Sequence, residues 1–456
     1  MKRVSKRIMW TFAIGQLGWS ILAGIITNWL VYFYQVDDEL LDLGHHVYVS
    51  QGTVVLGVFT ITGVITAFGR IFDAFTDPLI ASWSDRSHSP RGRRIPFMRI
   101  AAFPFAFFTV MVFVSPTPSV GLANNAWLFF SVILFYFFMT LYCTPYNALI
   151  PELGRNQNDK INISTFISVT FIIGTAFAYG APFIWDTLIS AGIERMSAIR
   201  MTFIGLSALA LLFMLIPAFL IRERDYVRYV PSESKAFESL LKTFRNRDFR
   251  IFVASDILYW IALTLFQIGL PFFIVSLLEL EESMISLLFI VVTMTSFLFY
   301  FPVNLISKRI GKKRMVIYAF LMFAFAFVVA AFSGLVPGSN LVYGFIIAVL
   351  AAMPMAILGI LPQAIVADIA QYDSIVTREN REGMFFAART FAFKLGQSLS
   401  LLLFTSVATI RTEIGLGYRI ALMLAIAFSV AGAVILTAYD EKKVLTGIGK
   451  SDVIEG

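Results

Sequence analysis

Residues 69–96 read GRIFDAFTDPLIASWSDRSHSPRGRRIP, and they place charge at the end of a long apolar run. The 17 residues 53–69 carry no charge. Arg70, Asp73 and Asp77 then follow within eight positions, and apolar sequence, PLIASW, resumes before a basic turn. An unpaired charge in the hydrocarbon core of a bilayer is costly. If this segment spans a membrane, its acids must therefore face a polar cavity or a positive partner.

The composition of the whole chain is typical of a helical membrane protein. Of its 456 residues, 58% are hydrophobic and 14% are charged, whereas soluble domains carry about 25% charged residues. The mean hydropathy is +0.79. The apolar runs are long and do not alternate with polar residues, which excludes a transmembrane β-barrel. The single cysteine, Cys143, excludes an internal disulfide bond.

The hydropathy pattern predicts twelve apolar segments, and hence an all-α membrane protein with twelve transmembrane helices. The segments cover roughly residues 8–34, 53–83, 95–115, 126–149, 162–187, 198–221, 251–275, 283–306, 315–335, 340–368, 383–410 and 418–438. The first run is too long for the core of a signal peptide and lacks a clear cleavage site. We therefore predict that it is a spanning helix.

The distribution of basic residues predicts the orientation. The amino terminus and every second loop hold 28 of the 36 Lys and Arg residues, the intervening loops hold four, and four lie within segments. Basic loops stay on the cytoplasmic side, so both termini are predicted to be cytoplasmic. The membrane is predicted to be the plasma (cytoplasmic) membrane, which is the inner membrane of the cell. The net charge of +7 then faces anionic lipids, and no nucleic-acid partner is expected.

A basic loop divides the segments six and six. We predict an N-terminal half over 1–221, a cytoplasmic linker over 222–250, a C-terminal half over 251–440 and a cytoplasmic tail over 441–456. SDRSHSPRGRRIP after the second segment and SKRIGKKRM after the eighth place a basic, Gly-containing turn at the same point of each half. This repeat is typical of the major facilitator architecture, whose halves move around a midplane site. Within the linker, FESLLKTFRNRDF predicts an amphipathic surface helix.

The acids of the second segment predict a cation site. Asp73 and Asp77 are spaced i,i+4 and share one helical face, with Arg70 one turn before Asp73. With the hydroxyl of Thr76, they supply hard oxygen ligands for Na⁺ or for a proton shared between carboxylates. A second interpretation stays open, in which both aspartates only anchor the segment at the membrane face and pair with Arg70.

Lys394 is the second charged residue that needs an explanation. It lies about eleven residues into the eleventh segment, between apolar stretches, and a lysine at mid-bilayer costs at least ~3 kcal/mol. Because the second and eleventh segments belong to opposite halves, we expect Lys394 to neutralise the two aspartates and to couple both halves to ligand occupancy. The alternative is a purely structural buried pair.

Five charged residues, Arg70 among them, predict an inner gate of switching ion pairs, with anchoring at the membrane interface as an equal alternative. They are Asp85, Arg86, Arg70, Asp256 and Asp368. Two adjacent histidines, His45 and His46, are not expected to bind a metal by themselves. The sequence has no nucleophile–base pair, metal cluster or phosphate loop, so no enzyme is predicted, and the only metal expected is Na⁺ at the cation site.

Three motifs resemble one family of transporters. RIFDAFTDPLIASWSDRSHSPRGRRIPF resembles the signature of the glycoside–pentoside–hexuronide:cation symporters, the melibiose permease-like family of the major facilitator superfamily. TPYNALIPELG is similar to the Pro-Tyr-x-Ala-Leu segment of that family, and VADIAQYDSIVTRENREGMFFAARTFAFKLG to its helix 10–11 signature. The resemblance runs from the first segment to the eleventh. It implies cation-coupled import of a sugar or glycoside.

The resemblance also implies roles for single residues. Asp73, Thr76, Asp77 and Thr140 correspond to its cation site, and Lys394 to a lysine near both the cation and the sugar, with Thr390 beside it. The positions that grip a galactoside differ here, reading Ser20, Cys143, Asn147, Ser168 and Gly359. The candidates for substrate binding are therefore Lys394, Thr390, Ser20, Asn28, Asn147 and Gln363.

Together these observations predict a cation-coupled secondary symporter that works by alternating access as a monomer in the lipid bilayer. Na⁺ and H⁺ both remain open as the co-transported ion, and no other cofactor is expected. A carrier of lysolipids or other amphiphiles is the first alternative, since eukaryotic lysophospholipid symporters resemble this family too. A membrane sensor or scaffold is the second, but neither the longest loop nor the short tail provides the added soluble domain that it would need.

Overall fold

The computed structural model describes residues 4–87, 89–154, 157–226, 242–335, 337–378, 382–411 and 415–455. Within those ranges it contains twelve helices of 17 residues or more. They are α1 Lys6–Tyr34, α2 Ile61–Asp85, α3 Ile95–Met111, α4 Leu122–Leu153, α5 Gln157–Tyr179, α6 Arg195–Leu220, α7 Arg247–Phe272, α8 Ser283–Ile310, α9 Lys312–Phe332, α10 Asn340–Thr377, α11 Glu382–Val407 and α12 Leu416–Leu436. Shorter helices cover Asp38–Asp42, Ala181–Ser190, Glu223–Tyr226 and Glu441–Glu455, and a π-helical turn, Phe273–Leu277, continues α7.

Ten helical stretches in the described ranges are long and apolar enough to cross a membrane. Helix α3 falls short because it has only 17 residues. Helix α2 is not among them because every stretch of 18 residues within it contains at least three charged residues, Arg70, Asp73 and Asp77. The prediction of an all-helical protein with many apolar spans is confirmed, while the number of twelve spans stays a prediction.

The second helix begins eight residues later than the hydropathy pattern predicts. The apolar run from residue 53 first forms a tight turn, closed by backbone pairing of Val55 with Phe59, in which Leu56 and Gly57 adopt φ values of +53° and +69°. The Thr60 hydroxyl then accepts a backbone N–H and caps α2, which begins at Ile61. Counted from Ile61, Asp73 lies about 18 Å along the helix, compared with about 30 Å from residue 53. Asp73 is therefore near the middle of α2.

Two other predicted elements need correction. Helix α10 continues past its predicted end at 368 to Thr377, so Asp368 and Asp373 lie inside it. The predicted fifth segment is interrupted at Gly180, where α5 ends and a separate helix, Ala181–Ser190, begins. The first residues of the stretch FESLLKTFRNRDF, which is predicted to form an amphipathic helix, lie outside the described residues.

The chain divides into two compact units, Met1–Glu233 and Ser234–Gly456. In the first unit, α1 packs on α5 and α6, α4 packs on α2 and α3, and α3 also packs on α6. In the second, α7 packs on α11 and α12, α10 packs on α8 and α9, and α9 also packs on α12. Each of the five pairings in one unit therefore recurs in the other with the helix number raised by six.

Buried aromatic residues set the rotation of α4 in the first unit. The Tyr142 hydroxyl donates to the carbonyl of Met214 in α6 at 2.9 Å, and the Tyr146 hydroxyl donates to the carbonyl of Phe12 in α1 at 2.9 Å. Both rings are fully buried, so both hydroxyls need such partners. Thr140 and Thr144, two positions before Tyr142 and Tyr146, lie about 200° around the helix from these tyrosines. The face of α4 that carries them is therefore turned away from α1 and α6.

Candidate functional site

The acids of α2 meet the hydroxyls of α4. Thr140 Oγ1 donates to Asp73 Oδ1 at 2.7 Å, and Thr144 Oγ1 donates to Asp77 Oδ1 at 3.1 Å. Both pairs are spaced i,i+4, so two hydroxyls on one face match two carboxylates on the other. Gly69 allows this close approach, because a Cβ there would collide with α4. Sequence analysis missed Thr144, although its spacing from Thr140 is a signal that could have found it.

Asp73 is the centre of this cluster. It is fully buried, and its second oxygen, Oδ2, lies 3.3 Å from Arg70 Nη1. Thr76 Oγ1 lies 3.4 Å from Thr140 Oγ1 and donates to the backbone carbonyl of Phe72 at 3.0 Å. The structure thus brings Arg70 to Asp73, one turn away on the same face.

The charge of the cluster suits one monovalent cation. With both carboxylates counted as ionised, the cluster of Asp73, Asp77 and the Arg70 guanidinium has a formal charge of −1. The carboxylate and hydroxyl oxygens of Asp73, Thr76, Asp77 and Thr140 are hard donors of the kind that alkali and alkaline-earth cations prefer. One Na⁺ or one proton would bring the formal charge to zero.

The substrate candidates of the first unit differ in exposure. The Ser20 hydroxyl is buried and donates to the carbonyl of Gln16 at 2.6 Å. It also packs so tightly against Gly174 of α5 that a Cβ there would collide with it, which makes Ser20 part of the α1–α5 contact. Asn28 is buried, and its Nδ2 has no hydrogen-bond partner among the described residues. Asn147 is exposed on α4.

The candidates of the second unit lie on α10 and α11. Lys394 is buried and Thr390 is half-buried, and their i,i+4 spacing puts both on one face of α11. Gln363 is exposed on α10. Asp256, which the sequence assigned to the inner gate, forms a two-point ion pair with Arg389 of α11, with N–O distances of 2.7 and 2.9 Å. The sequence had placed Arg389 within a segment without a role.

A carboxylate from beyond α6 holds the turn between α2 and α3. Glu223 Oε1 accepts the N–H of Arg93 at 2.7 Å, and Oε2 accepts those of Arg94 and Ile95 at 2.8 and 3.0 Å. These N–H groups belong to the start of α3, where a helix needs acceptors and favours negative charge. Gly92, with φ +114°, has no room for a Cβ beside the Glu223 carboxylate.

The second unit repeats this arrangement. Glu441, which follows α12, accepts the N–H of Lys312 at 2.7 Å and that of Lys313 at 3.2 Å at the start of α9. Gly311, with φ +90°, precedes them, and a Cβ there would lie 2.7 Å from the Glu441 carboxylate. Glu223 and Glu441 are capping acids that sequence analysis missed. Their signal was an acid shortly after the sixth and twelfth segments, in step with the repeated basic turn.

Ion pairs join each of these turns to a neighbouring helix. Arg93 Nη2 lies 2.9 Å from Glu152 Oε1 near the end of α4, and Lys312 Nζ lies 2.6 Å from Asp368 Oδ2 in α10. The two pairs occupy equivalent places because α4 and α10 have equivalent neighbours. Asp85 pairs with Arg94, which also contacts Glu152 at 3.2 Å. Arg86 follows α2 and is exposed.

The adjacent histidines take part in loop packing. His45 Nδ1 accepts the Nε–H of Arg195 at 3.1 Å, and His46 Nε2 lies 2.5 Å from the carbonyl of Pro118. Burial, assisted by the positive charge of Arg195, lowers the pKa of His45 to about 3, so its ring is neutral at physiological pH. Across the described part of the chain, no group of three or more His, Cys, Asp or Glu side chains could hold a metal ion.

Comparison with known proteins gives a consistent result. A family model described as MFS/sugar transport protein matches residues 11–438. An uncharacterised symporter of Synechocystis is 23% identical, with 86% of this chain and 83% of the relative covered. The isoprimeverose transporter of Lactiplantibacillus pentosus is 22% identical over 68% of this chain and 61% of its own. The sodium-dependent lysophosphatidylcholine symporter 1 of Gallus gallus is 22% identical over 74% and 69%.

Solved structures show the same fold. A D-xylose-proton symporter has a TM-score of 0.68 at 15% identity, covering 96% of this chain and 98% of its own. The nucleoside transporter NupG has a TM-score of 0.67 at 15% identity, covering 95% and 98%. The family and these structural neighbours are membrane transporters. The chain therefore belongs to the MFS/sugar transport family and is an integral, multi-pass membrane protein.

Proposed function

We propose that this protein is a cation-coupled symporter of the glycoside–pentoside–hexuronide:cation class that imports a sugar or glycoside by alternating access. One observation carries the proposal: two carboxylates of α2 are hydrogen-bonded to two hydroxyls of α4, in a cluster with a formal charge of −1. The description of the family and the isoprimeverose relative support a sugar as substrate. The relatives that are named symporters support a co-transported ion.

Asp73, Thr76, Asp77 and Thr140 hold the cation in this proposal, and Thr144 orients Asp77. Arg70 compensates one of the two carboxylates, so a single Na⁺ or H⁺ completes neutralisation. Occupancy of the site then removes the cost of keeping a net charge away from water and shifts the populations of the transport states. A membrane potential of 100 mV supplies about 2.3 kcal/mol per charge moved.

The candidates for contact with the substrate in this proposal are Lys394, Thr390, Asn28, Asn147 and Gln363. These residues offer the amide, hydroxyl and ammonium groups that bind sugar hydroxyls. Ser20 stands apart because its hydroxyl is used in packing. The ion pairs of Asp85 and Asp368, with the neighbouring Arg86, form the inner gate in this proposal.

The proposal includes twelve spans in two six-helix halves, 1–221 and 251–440, with a linker over 222–250, a tail over 441–456 and both termini cytoplasmic. The recurring helix pairings support it. In that repeat, α2 and α3 correspond to α8 and α9, which are themselves long and apolar enough to span. We propose a monomer as the functional unit.

A carrier of lysolipids is the second candidate. The observation in its favour is the relative named sodium-dependent lysophosphatidylcholine symporter 1. Thermal unfolding of the purified full-length chain separates the two. We expect NaCl, compared with choline chloride, or acidic pH to raise the unfolding temperature, and isoprimeverose or another glycoside to raise it further. Stabilisation by lysophosphatidylcholine, with no response to any sugar, would refute the sugar proposal.

The orientation can be tested by labelling with an impermeant thiol reagent in a Cys143→Ser background. Ser119→Cys lies between α3 and α4, on the side with few basic residues, and is expected to react in intact cells. Lys442→Cys lies beyond α12 and is expected to react only after the membrane is opened. Both positions are exposed, so a difference reports sidedness. The reverse pattern would place the termini outside.

A further inference from the structure

A buried ion pair joins α7 to α11 in the second unit. Arg389 Nε lies 2.7 Å from Asp256 Oδ2, and Arg389 Nη2 lies 2.9 Å from Oδ1, so the guanidinium meets the carboxylate with two parallel bonds. The two side chains are 8% and 3% exposed. Such two-point pairing fixes geometry as well as charge. Separation of this pair inside an apolar helical unit would leave two uncompensated charges.

The ion pair lies at one end of a row of contacts along α11. We call this row the α7-facing stripe; it consists of Arg389, Phe393, Gly396 and Ser400. Phe393 stacks on Trp260 of α7 at 4.5 Å between ring centres. A Cβ on Gly396 would lie 3.0 Å from Ile257, and the Ser400 hydroxyl donates to the carbonyl of Ile261 at 3.1 Å. The spacings of i, i+4, i+7 and i+11 are those of one helical face.

Three polar residues of α11 each follow a residue of the stripe by one position. This polar row consists of Thr390, Lys394 and Gln397. One residue corresponds to about 100° around a helix, so the polar row occupies the face next to the stripe. If α11 turned about its axis by one residue, the polar row would turn into α7. After such a turn, the apolar side chains of α11 could pack against new neighbours, whereas the ion pair between Asp256 and Arg389 would stay broken.

We propose that Asp256 and Arg389 are positioning residues that fix the rotation of α11 and thereby hold the polar row in the orientation used for substrate binding. This inference rests on the proposed function, because it gives the polar row its role there. Neither Asp256 nor Arg389 needs to touch the substrate. The same two-point pair with the residues exchanged, Asp256→Arg/Arg389→Asp, should therefore serve as well.

Disulfide formation between Ile261→Cys and Ser400→Cys, in a Cys143→Ser background, measures the rotation without any substrate. We expect rapid oxidation in the parent, at least tenfold slower oxidation in Arg389→Gln, and a rate within threefold of the parent in the swapped pair Asp256→Arg/Arg389→Asp. Lys443→Gln is the matched control, since it breaks a different ion pair of the same unit, with Asp248 at 3.2 Å, and should leave the rate unchanged. An unchanged rate in folded Arg389→Gln would overturn the proposal.

If Arg389→Gln does not fold, Arg389→Lys decides, because it keeps the charge and loses the two-point contact; a rate equal to the parent would again overturn the proposal. Uptake of isoprimeverose gives the functional result. We expect loss of uptake in Arg389→Gln, and recovery of uptake in the swapped pair and after oxidation of the two cysteine thiols to the disulfide. Oxidation that recovers in the swapped pair without recovery of uptake would mean that Arg389 itself contacts substrate, against a positioning role. If the parent itself takes up no isoprimeverose, only the choice of sugar fails, and the oxidation rates still decide the positioning role.

Discussion

Asp73→Asn and Asp77→Asn are each expected to abolish cation-driven accumulation of substrate. Either change raises the formal charge of the α2–α4 cluster from −1 to zero without a cation, while the amide keeps the shape of the side chain. The attraction for Na⁺ or H⁺ is lost, and we expect the apparent cation affinity to fall on the order of 100-fold. Uptake by proteoliposomes under an imposed cation gradient measures this, and exchange without a gradient should survive.

Two further variants test whether the loss of cation affinity depends on the charges of the α2–α4 cluster. Thr144→Val removes one hydrogen bond to Asp77 and leaves both charges, so we expect a loss in cation affinity of only about tenfold. Asp186→Asn removes an acid from the helix Ala181–Ser190, away from the cluster, and should leave coupling intact. Wild-type accumulation in both Asp73→Asn and Asp77→Asn would show that the acids are structural and that the cation binds elsewhere.

Gly92→Ala is expected to cause a large loss of stability in the first unit. Its methyl group would collide with the Glu223 carboxylate, and its φ of +114° would be strained for alanine. Displacement of Glu223 would also remove acceptors from three N–H groups at the start of α3. We expect a loss on the order of 3 kcal/mol, measured by thermal or denaturant unfolding in detergent.

Gly311→Ala should act in the same way on the second unit, but less strongly, because Glu441 caps two N–H groups and the collision is less close. Gly205→Ala and Gly359→Ala are matched controls, since a Cβ at either helical position meets nothing within 4 Å. They should be neutral or stabilise by up to about 1 kcal/mol. Equal stability of Gly92→Ala and its control would mean that the capping acid does not hold the turn.

The sequence by itself determined those features that depend on neighbours along one helix. Hydropathy located the long apolar helices, and the i,i+4 spacing of Asp73 and Asp77 put both acids on one face. The same local argument failed where backbone conformation mattered more than hydropathy. Residues 53–60 are apolar but form a turn in which Leu56 and Gly57 adopt positive φ. Helix α10 continues past residue 368 because residues 369–377 contain no Pro or Gly that would end it.

Only the tertiary structure decided which side chains meet across helices. Thr140 reaches Asp73 over 67 residues, Glu223 reaches Arg93 over 130, and Asp256 reaches Arg389 over 133. Spacing along one helix defines a face, but the partner of that face depends on how two helices are rotated and how closely they pack. In this protein, buried tyrosines set the rotation of α4, and small residues such as Gly69 allow close approach. The roles of Thr144, Glu223, Glu441 and Arg389 follow from that packing, because each takes its position from a helix distant in the sequence.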